Sequence, residues 1–86
     1  MIKQSDHPVA WALLLHELDD VREHLEDLVT KMQSAGRIEP EDFRIRISHA
    51  YAHLNRAWNS RNETSSERAL EQHDLFSKCP TDIEPI

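Results

Sequence analysis

The sequence is short of the residues that interrupt or cross-link a chain. Its 86 residues contain one glycine, Gly36, and one cysteine, Cys79. A lone cysteine excludes a disulfide within the chain, and this sparing use of cysteine favours a reducing, cytoplasmic setting. Because a single glycine leaves few positions with unusual backbone angles, and 30% of the residues are charged, the composition favours an all-helical chain.

Long hydrophobic runs are also missing. The longest, Val9–Leu15, is far shorter than the roughly 20 apolar residues that a transmembrane helix needs, so no membrane association is predicted. The formal net charge of −6 opposes non-specific attraction to phosphate groups, so nucleic acid is not a favoured partner. A chain of this length predicts one small domain with a thin core.

What the sequence does contain is a regular stripe of large apolar residues on its first predicted helix. Successive members are separated alternately by three and four residues, which is the a/d spacing of a coiled-coil seam. The seam consists of Trp11, Leu14, Leu18, Val21, Leu25, Leu28 and Met32. No other pattern in the chain is as well specified, so packing between helices is the main prediction.

Proline and glycine mark the ends of two long helices. Pro8 opens a helix predicted over about residues 8–35, and Gly36 can adopt the left-handed conformation that ends it. Pro40 then opens a second helix, predicted over about residues 40–61. A link this short forces the second helix to run antiparallel beside the first, so the sequence predicts a helical hairpin.

Shorter segments flank the hairpin. Residues 1–7 are predicted to be a flexible N-terminus. Thr64 followed by Glu67 resembles a capping box and predicts a short third helix over residues 64–78. Residues 79–86 contain two prolines and no periodicity, and are predicted to be an extended or disordered tail.

The second helix is one-sided as well. At about 100° per residue one face collects Phe43, Ile47, Tyr51, Leu54 and Trp58, together with two alanines. Two helices in contact cannot cover stripes this wide, and each fully buried leucine contributes roughly 1.5 to 3 kcal/mol. The predicted fold is therefore all-α: an antiparallel two-helix hairpin plus a short third helix, dimerising into a four-helix bundle.

Charge is segregated along the chain, with −4 in residues 1–35, +2 in residues 36–62 and −4 in residues 63–86. Carboxylates cover the outer face of the first helix: Asp19, Asp20, Glu23, Glu26 and Asp27. Two interpretations stay open. The carboxylates form either a solvated surface with weak ion pairs or a face that steers an unlike protein partner.

Histidine is abundant, with six in the chain. His49 and His53 have the i,i+4 spacing that lets two imidazoles on one helical face bind one metal ion. The helical wheel places both rings opposite the apolar face, near Arg46 and Arg56, whose positive charges disfavour a nearby cation. Exposed histidines without a metal are therefore the preferred interpretation, and no cofactor is predicted.

A second histidine pattern lies on the first helix, where His16, Asp20, His24 and Asp27 form a ladder of nitrogen and oxygen donors. Most of these residues face away from the seam. Glu17 and His24 lie at the edge of the apolar stripe, where a structural role at the rim of a bundle is preferred to metal binding.

Catalytic motifs are missing, since one glycine cannot build a phosphate loop and Cys79 has no supporting context. The sequence predicts a small non-enzymatic interaction protein, a regulator, adaptor or accessory subunit, that acts as a homodimer and binds a protein of unknown identity. One alternative is a metal-binding helical bundle. Another is nucleic-acid binding through the arginine side of the second helix, which carries Arg44, Arg46, Arg56 and Arg61.

Overall fold

The computed structural model describes all 86 residues, which form four helices and no strand. The long helices α1 (Pro8–Ala35) and α2 (Pro40–Asn59) pack against each other as an antiparallel hairpin, followed by the short helices α3 (Ser66–Glu71) and α4 (His73–Phe76). The prediction of an all-helical chain built on two long, packed helices is confirmed. No helix combines the length and the apolar character needed to cross a bilayer.

Backbone chemistry explains the turn between the long helices. Gly36 has a φ of 67°, in the left-handed region, and its N–H donates to the carbonyl of Met32. Pro40 occupies the first turn of α2, where an absent N–H leaves no helical hydrogen bond unmade. Glu41 and Asp42 share that first turn, where their carboxylates complement the positive end of the helix dipole.

The core is thin, since only eight residues are buried. The apolar ones are Ile2, Ala10, Leu14, Val21, Leu28, Ala50 and Ala57, and the polar one is Asn55. Ile2 lies in the segment predicted to be flexible. It is buried instead, and its backbone N–H donates to the carbonyl of Arg61 at 3.0 Å. An isolated apolar residue before a helix carries no periodic signal, so its burial was not evident from the sequence.

The third predicted helix is divided. Where the sequence predicted one helix over residues 64–78, the structure has α3 and α4, with Gln72 between them. Ser65 is the N-cap instead of Thr64, and its hydroxyl accepts from the N–H of Arg68 at 3.1 Å. α3 packs on α1 and α4 packs on α2, so these short helices brace the open end of the hairpin.

Two asparagines of α2 hold the chain that follows α4. The buried Asn55 donates to the carbonyl of Ser77 at 3.0 Å. Asn59 donates to the carbonyls of Phe76 and Lys78, at 2.8 and 2.9 Å. These bonds satisfy carbonyls that have no helical partner after α4 ends, and they place the C-terminal segment along α2.

Candidate interaction surface

The apolar seam of α1 is divided into two sets by the hairpin. Every second member is buried against α2: Leu14, Val21 and Leu28. The members between them are 36 to 45% exposed: Leu18, Leu25 and Met32. Residues within each set are seven apart, so one heptad position faces α2 and the other faces away from the chain. Trp11, the first member of the seam, is half-buried and packs on the core.

α2 adds a matching exposed row. Its large apolar residues are 40 to 50% exposed: Phe43, Ile47, Tyr51 and Leu54. We call one set of seven residues the open face: these four and Leu18, Leu25 and Met32 of α1. The open face contains no charged side chain. Contiguous exposed apolar surface of this kind is typical of an interaction site in a folded chain.

An apolar groove of about 680 Å³ lies at one end of the open face. Its floor includes Leu18, Tyr51, Leu54 and Trp58, and its wall includes Cys79, Pro80 and Ile83 of the C-terminal segment. Contact between Tyr51 and Cys79 raises the pKa of the Tyr51 hydroxyl. The other end of the open face, at the turn between α1 and α2, has no such wall.

Asp82 anchors the wall of the groove. The indole N–H of Trp58 donates to Asp82 Oδ1 at 2.8 Å, and the Arg61 guanidinium lies 3.2 Å from Asp82 Oδ2. The same guanidinium lies over the Trp58 ring, 3.7 Å from its centroid. The hydrogen bond from Trp58, with a smaller contribution from Arg61, lowers the pKa of Asp82 below its ordinary value.

The opposite edge of the hairpin is polar and equally regular. We call it the polar seam. On α1 it comprises Glu17, Asp20, His24, Asp27 and Lys31, and on α2 it comprises Asp42, Arg46, His49, His53 and Arg56. Each step of three or four residues along one helix is matched by the same step back along the other. The sequence contains this second heptad pattern in its polar positions, beside the apolar one.

Ion pairs close the polar seam near the turn. Lys31 Nζ lies 2.6 Å from Asp42 Oδ2, and Arg46 Nη1 lies 2.7 Å from Asp27 Oδ2. Arg46 Nε also donates to Asp42 at 3.0 Å. Hydrogen bonds from Lys31 and then Arg46 lower the pKa of Asp42, and those to Asp27 and Asp42 raise the pKa of Arg46.

Glu17 closes the polar seam at the other end. It accepts from Arg56 Nε at 2.9 Å, and its second oxygen lies 2.6 Å from His53 Nδ1. The side chains of Glu17, His53 and Arg56 are 20, 17 and 12% exposed. Arg56 also donates to the hydroxyl of Ser77 at 2.8 Å, so the cluster ties both long helices to the chain after α4.

The helical wheel was wrong about the direction of these α2 side chains. It placed Arg46, Arg56 and His53 away from α1, whereas all three contact α1 carboxylates. The reason lies at Ala50 and Ala57, which are buried in the hairpin contact. α2 therefore turns its alanine line toward α1 and leaves Phe43, Ile47, Tyr51 and Leu54 partly exposed.

Three imidazoles meet midway along the polar seam. The His24 ring is stacked on His53, with centroids 5.4 Å apart, and its centroid lies 5.9 Å from that of His49. The structure therefore brings together both predicted metal candidates and a third histidine. No group of three or more His, Cys, Asp or Glu side chains is arranged to hold a metal ion. The metal-binding alternative stays a prediction.

The carboxylates predicted as a partner face differ in their surroundings. Asp19 pairs with Arg22, and Asp27 and Asp20 are drawn into the polar seam. Glu23 and Glu26 are exposed and have no cationic partner. Of the outer carboxylates, these last two carry the least compensated charge.

Each of the four arginines predicted to bind nucleic acid in the second alternative lies beside a carboxylate. The four pairs are Arg44 with Glu41, Arg46 with Asp27, Arg56 with Glu17 and Arg61 with Asp82. Paired guanidinium groups have less charge to offer a phosphate backbone. Nucleic-acid binding through this side of α2 stays a prediction.

Comparison with protein-family models, with curated proteins and with solved structures finds no match to this chain.

Proposed function

We propose that this protein is a small non-enzymatic interaction protein that acts as a homodimer. Two hairpins bury their open faces against each other in a four-helix bundle, and the dimer serves as a regulator, adaptor or accessory subunit by binding another protein. The observation that carries the proposal is the alternating burial along the α1 seam, in which Leu14 is buried and Leu18, one turn later, is exposed. A helix in a four-helix bundle uses its two heptad positions in this way.

The free energy available from the open face supports association. Its side chains are about half exposed, and full burial of each contributes roughly 1.5 to 3 kcal/mol relative to full exposure. Covering what is left exposed on two copies therefore yields on the order of 10 kcal/mol. Association costs about 4 to 15 kcal/mol in lost freedom, so the open face supplies free energy of the size that association requires.

A second copy of the chain suits the open face better than an unlike partner of arbitrary shape. The seven side chains of the open face are uncharged, so their burial removes no ion from water. Arg61 and Glu84 also line the groove at one end, where Arg61 is paired with Asp82. A two-fold axis presents the same surface twice, with helices of equal length and matching heptad spacing. The polar seam, on the opposite edge of each hairpin, stays accessible to solvent in this arrangement.

The outer face of α1 is the surface proposed to bind a protein partner. Glu23 and Glu26 are exposed, lack cationic neighbours and lie away from the open face, so the dimer presents them on both outer sides. Their charge favours a basic partner, since electrostatic complementarity speeds encounter and rejects wrong partners. Two copies of this surface give the dimer two equivalent docking sites.

Sedimentation equilibrium of the purified chain tests the homodimer. We expect a mass near twice 10.1 kDa at micromolar concentration. Leu25→Glu should reduce it to the mass of one chain, because it places a charge at the centre of the open face. Thr30→Glu, on the exposed outer side of the same helix, is the matched control and should leave the dimer intact. A wild-type mass of one chain with normal helical content would refute the homodimer.

Chemical cross-linking in native cells, followed by mass spectrometry, tests the partner surface. The double variant Glu23→Lys, Glu26→Lys should lose a basic protein that the wild type captures. The double variant Glu67→Lys, Glu71→Lys makes the same charge change at two exposed positions of α3 and should retain it. Equal capture by both variants would show that the outer face of α1 is not the docking surface.

A further inference from the structure

We infer that the two copies pair antiparallel, with the turn end of each hairpin seated in the apolar groove of the other. Met32 and Phe43 of one copy then lie in the groove beside Leu54 and Cys79 of the second copy. The inference rests on the proposed homodimer and specifies which parts of the open face meet.

The two ends of the open face have different shapes, and this difference selects the orientation. At the groove end the C-terminal segment, including Pro80 and Ile83, forms a wall beside the helices. At the turn end, around Met32 and Phe43, no wall is present. A parallel pair would place both walls at the same end of the bundle and leave both turn ends without a groove to enter. In an antiparallel pair each wall passes beside the unobstructed turn end of the other copy.

The register of the open face fits a two-fold axis perpendicular to α1 at Leu25. Leu25 lies seven residues from both Leu18 and Met32, so rotation about this axis brings Met32 of one copy level with Leu18 of the other. At 1.5 Å per residue each lies about 10 Å from the axis. On α2, Phe43 and Leu54 are related in the same way, because the middle of that row lies opposite Leu25.

The groove also needs an apolar occupant. Its floor is formed by Leu18, Tyr51 and Leu54, and an unfilled apolar space forfeits contacts that a side chain would make. An antiparallel pair fills each groove with a phenylalanine and a methionine of the second copy. A parallel pair brings the two grooves together instead and leaves both without an occupant.

Disulfide mapping tests the orientation, with Cys79 as a native probe in the groove wall. In Met32→Cys, mild oxidation should link the new thiol at position 32 to Cys79 of the second copy, as peptide mapping would show. In Met32→Cys, Cys79→Ser that cross-link should vanish. A disulfide between the two position-32 thiols that persists in this control would establish a parallel pair and overturn the inference.

A distance measurement decides the orientation even where no disulfide forms. With a nitroxide label on Arg37→Cys in the Cys79→Ser background, an antiparallel dimer separates the labelled turns by about 36 Å along the helices. A parallel dimer places both labels at one end, within roughly 25 Å across the bundle. The short distance would overturn the antiparallel inference while the homodimer stands. Sedimentation at the mass of one chain would instead remove the homodimer and this inference with it.

Discussion

Leu14 and Leu18 lie one turn apart on the same helix, yet Leu14 is 6% exposed and Leu18 is 45% exposed. Both belong to one heptad seam, and their chemistry is identical. The difference arises because α2 covers only the side of the seam that carries Leu14, Val21 and Leu28. A single chain thus uses part of its best-specified apolar pattern for its own core and leaves the rest exposed.

Because of this difference, we expect substitutions of the two leucines to have different effects. Leu14→Ala should destabilise the fold by roughly 2 to 5 kcal/mol, since it opens a cavity in a thin core. Leu18→Ala should leave the fold of the dilute chain nearly unchanged and weaken association. Urea unfolding across a wide range of protein concentrations separates the two effects. Equal losses at the lowest concentration would contradict the division of the seam.

The cluster of Glu17, His53 and Arg56 should stabilise the contact between α1 and α2. Glu17→Gln removes the charge that Arg56 and His53 share while keeping most of the shape, and we expect a loss of roughly 1.5 to 3 kcal/mol, as for hydrogen bonds to charged groups. Asp19→Asn breaks a more exposed pair with Arg22 and should have a much smaller effect. Urea unfolding of both variants is the measurement, and equal losses would argue against a special role for the half-buried cluster.

The ion pairs of Asp42 should make the stability of the folded chain depend on pH. Because Lys31 and Arg46 lower the pKa of Asp42 in the folded chain, its contribution is fully present above the ordinary value of 3.8 and is lost as pH falls through the lower folded value. Asp42→Asn should therefore lower Tm by a few degrees at most at neutral pH, with the difference from wild type disappearing well below 3.8. Glu26→Gln, a matched charge change without a cationic partner, should show no such convergence. A constant difference across the whole pH range would contradict the ion-pair origin.

The anchor at Asp82 should control the wall of the groove. Asp82→Ala removes the acceptor of the Trp58 indole and the partner of Arg61, so we expect faster amide hydrogen exchange after Cys79 and a red-shifted Trp58 emission. Measuring fluorescence in a Trp11→Phe background isolates Trp58, since the chain has two tryptophans. Glu84→Ala, which removes an exposed neighbouring carboxylate that forms no ion pair, is the control. Unchanged exchange in Asp82→Ala would show that other contacts hold the segment.

Much of the hairpin could be predicted from local signals. The heptad seam, Gly36 and Pro40 act through backbone geometry and side-chain periodicity, which short stretches of sequence carry by themselves. The polar seam was only partly predicted, because Glu17 and His24 were assigned to the rim while His53 and Arg56 were assigned to solvent. Their true positions depend on how far α2 turns toward α1, and a helical wheel drawn for one helix contains no such information.

The sequence by itself determined an all-helical chain with two long, packed helices, because proline, glycine and apolar spacing act within a few residues of one another. Only the tertiary structure decided which half of the seam is buried, how Glu17 joins His53 to Arg56, and where the C-terminal segment forms a groove. These features depend on residues far apart in the chain, and they follow from the side of α2, marked by the buried Ala50 and Ala57, that packs on α1.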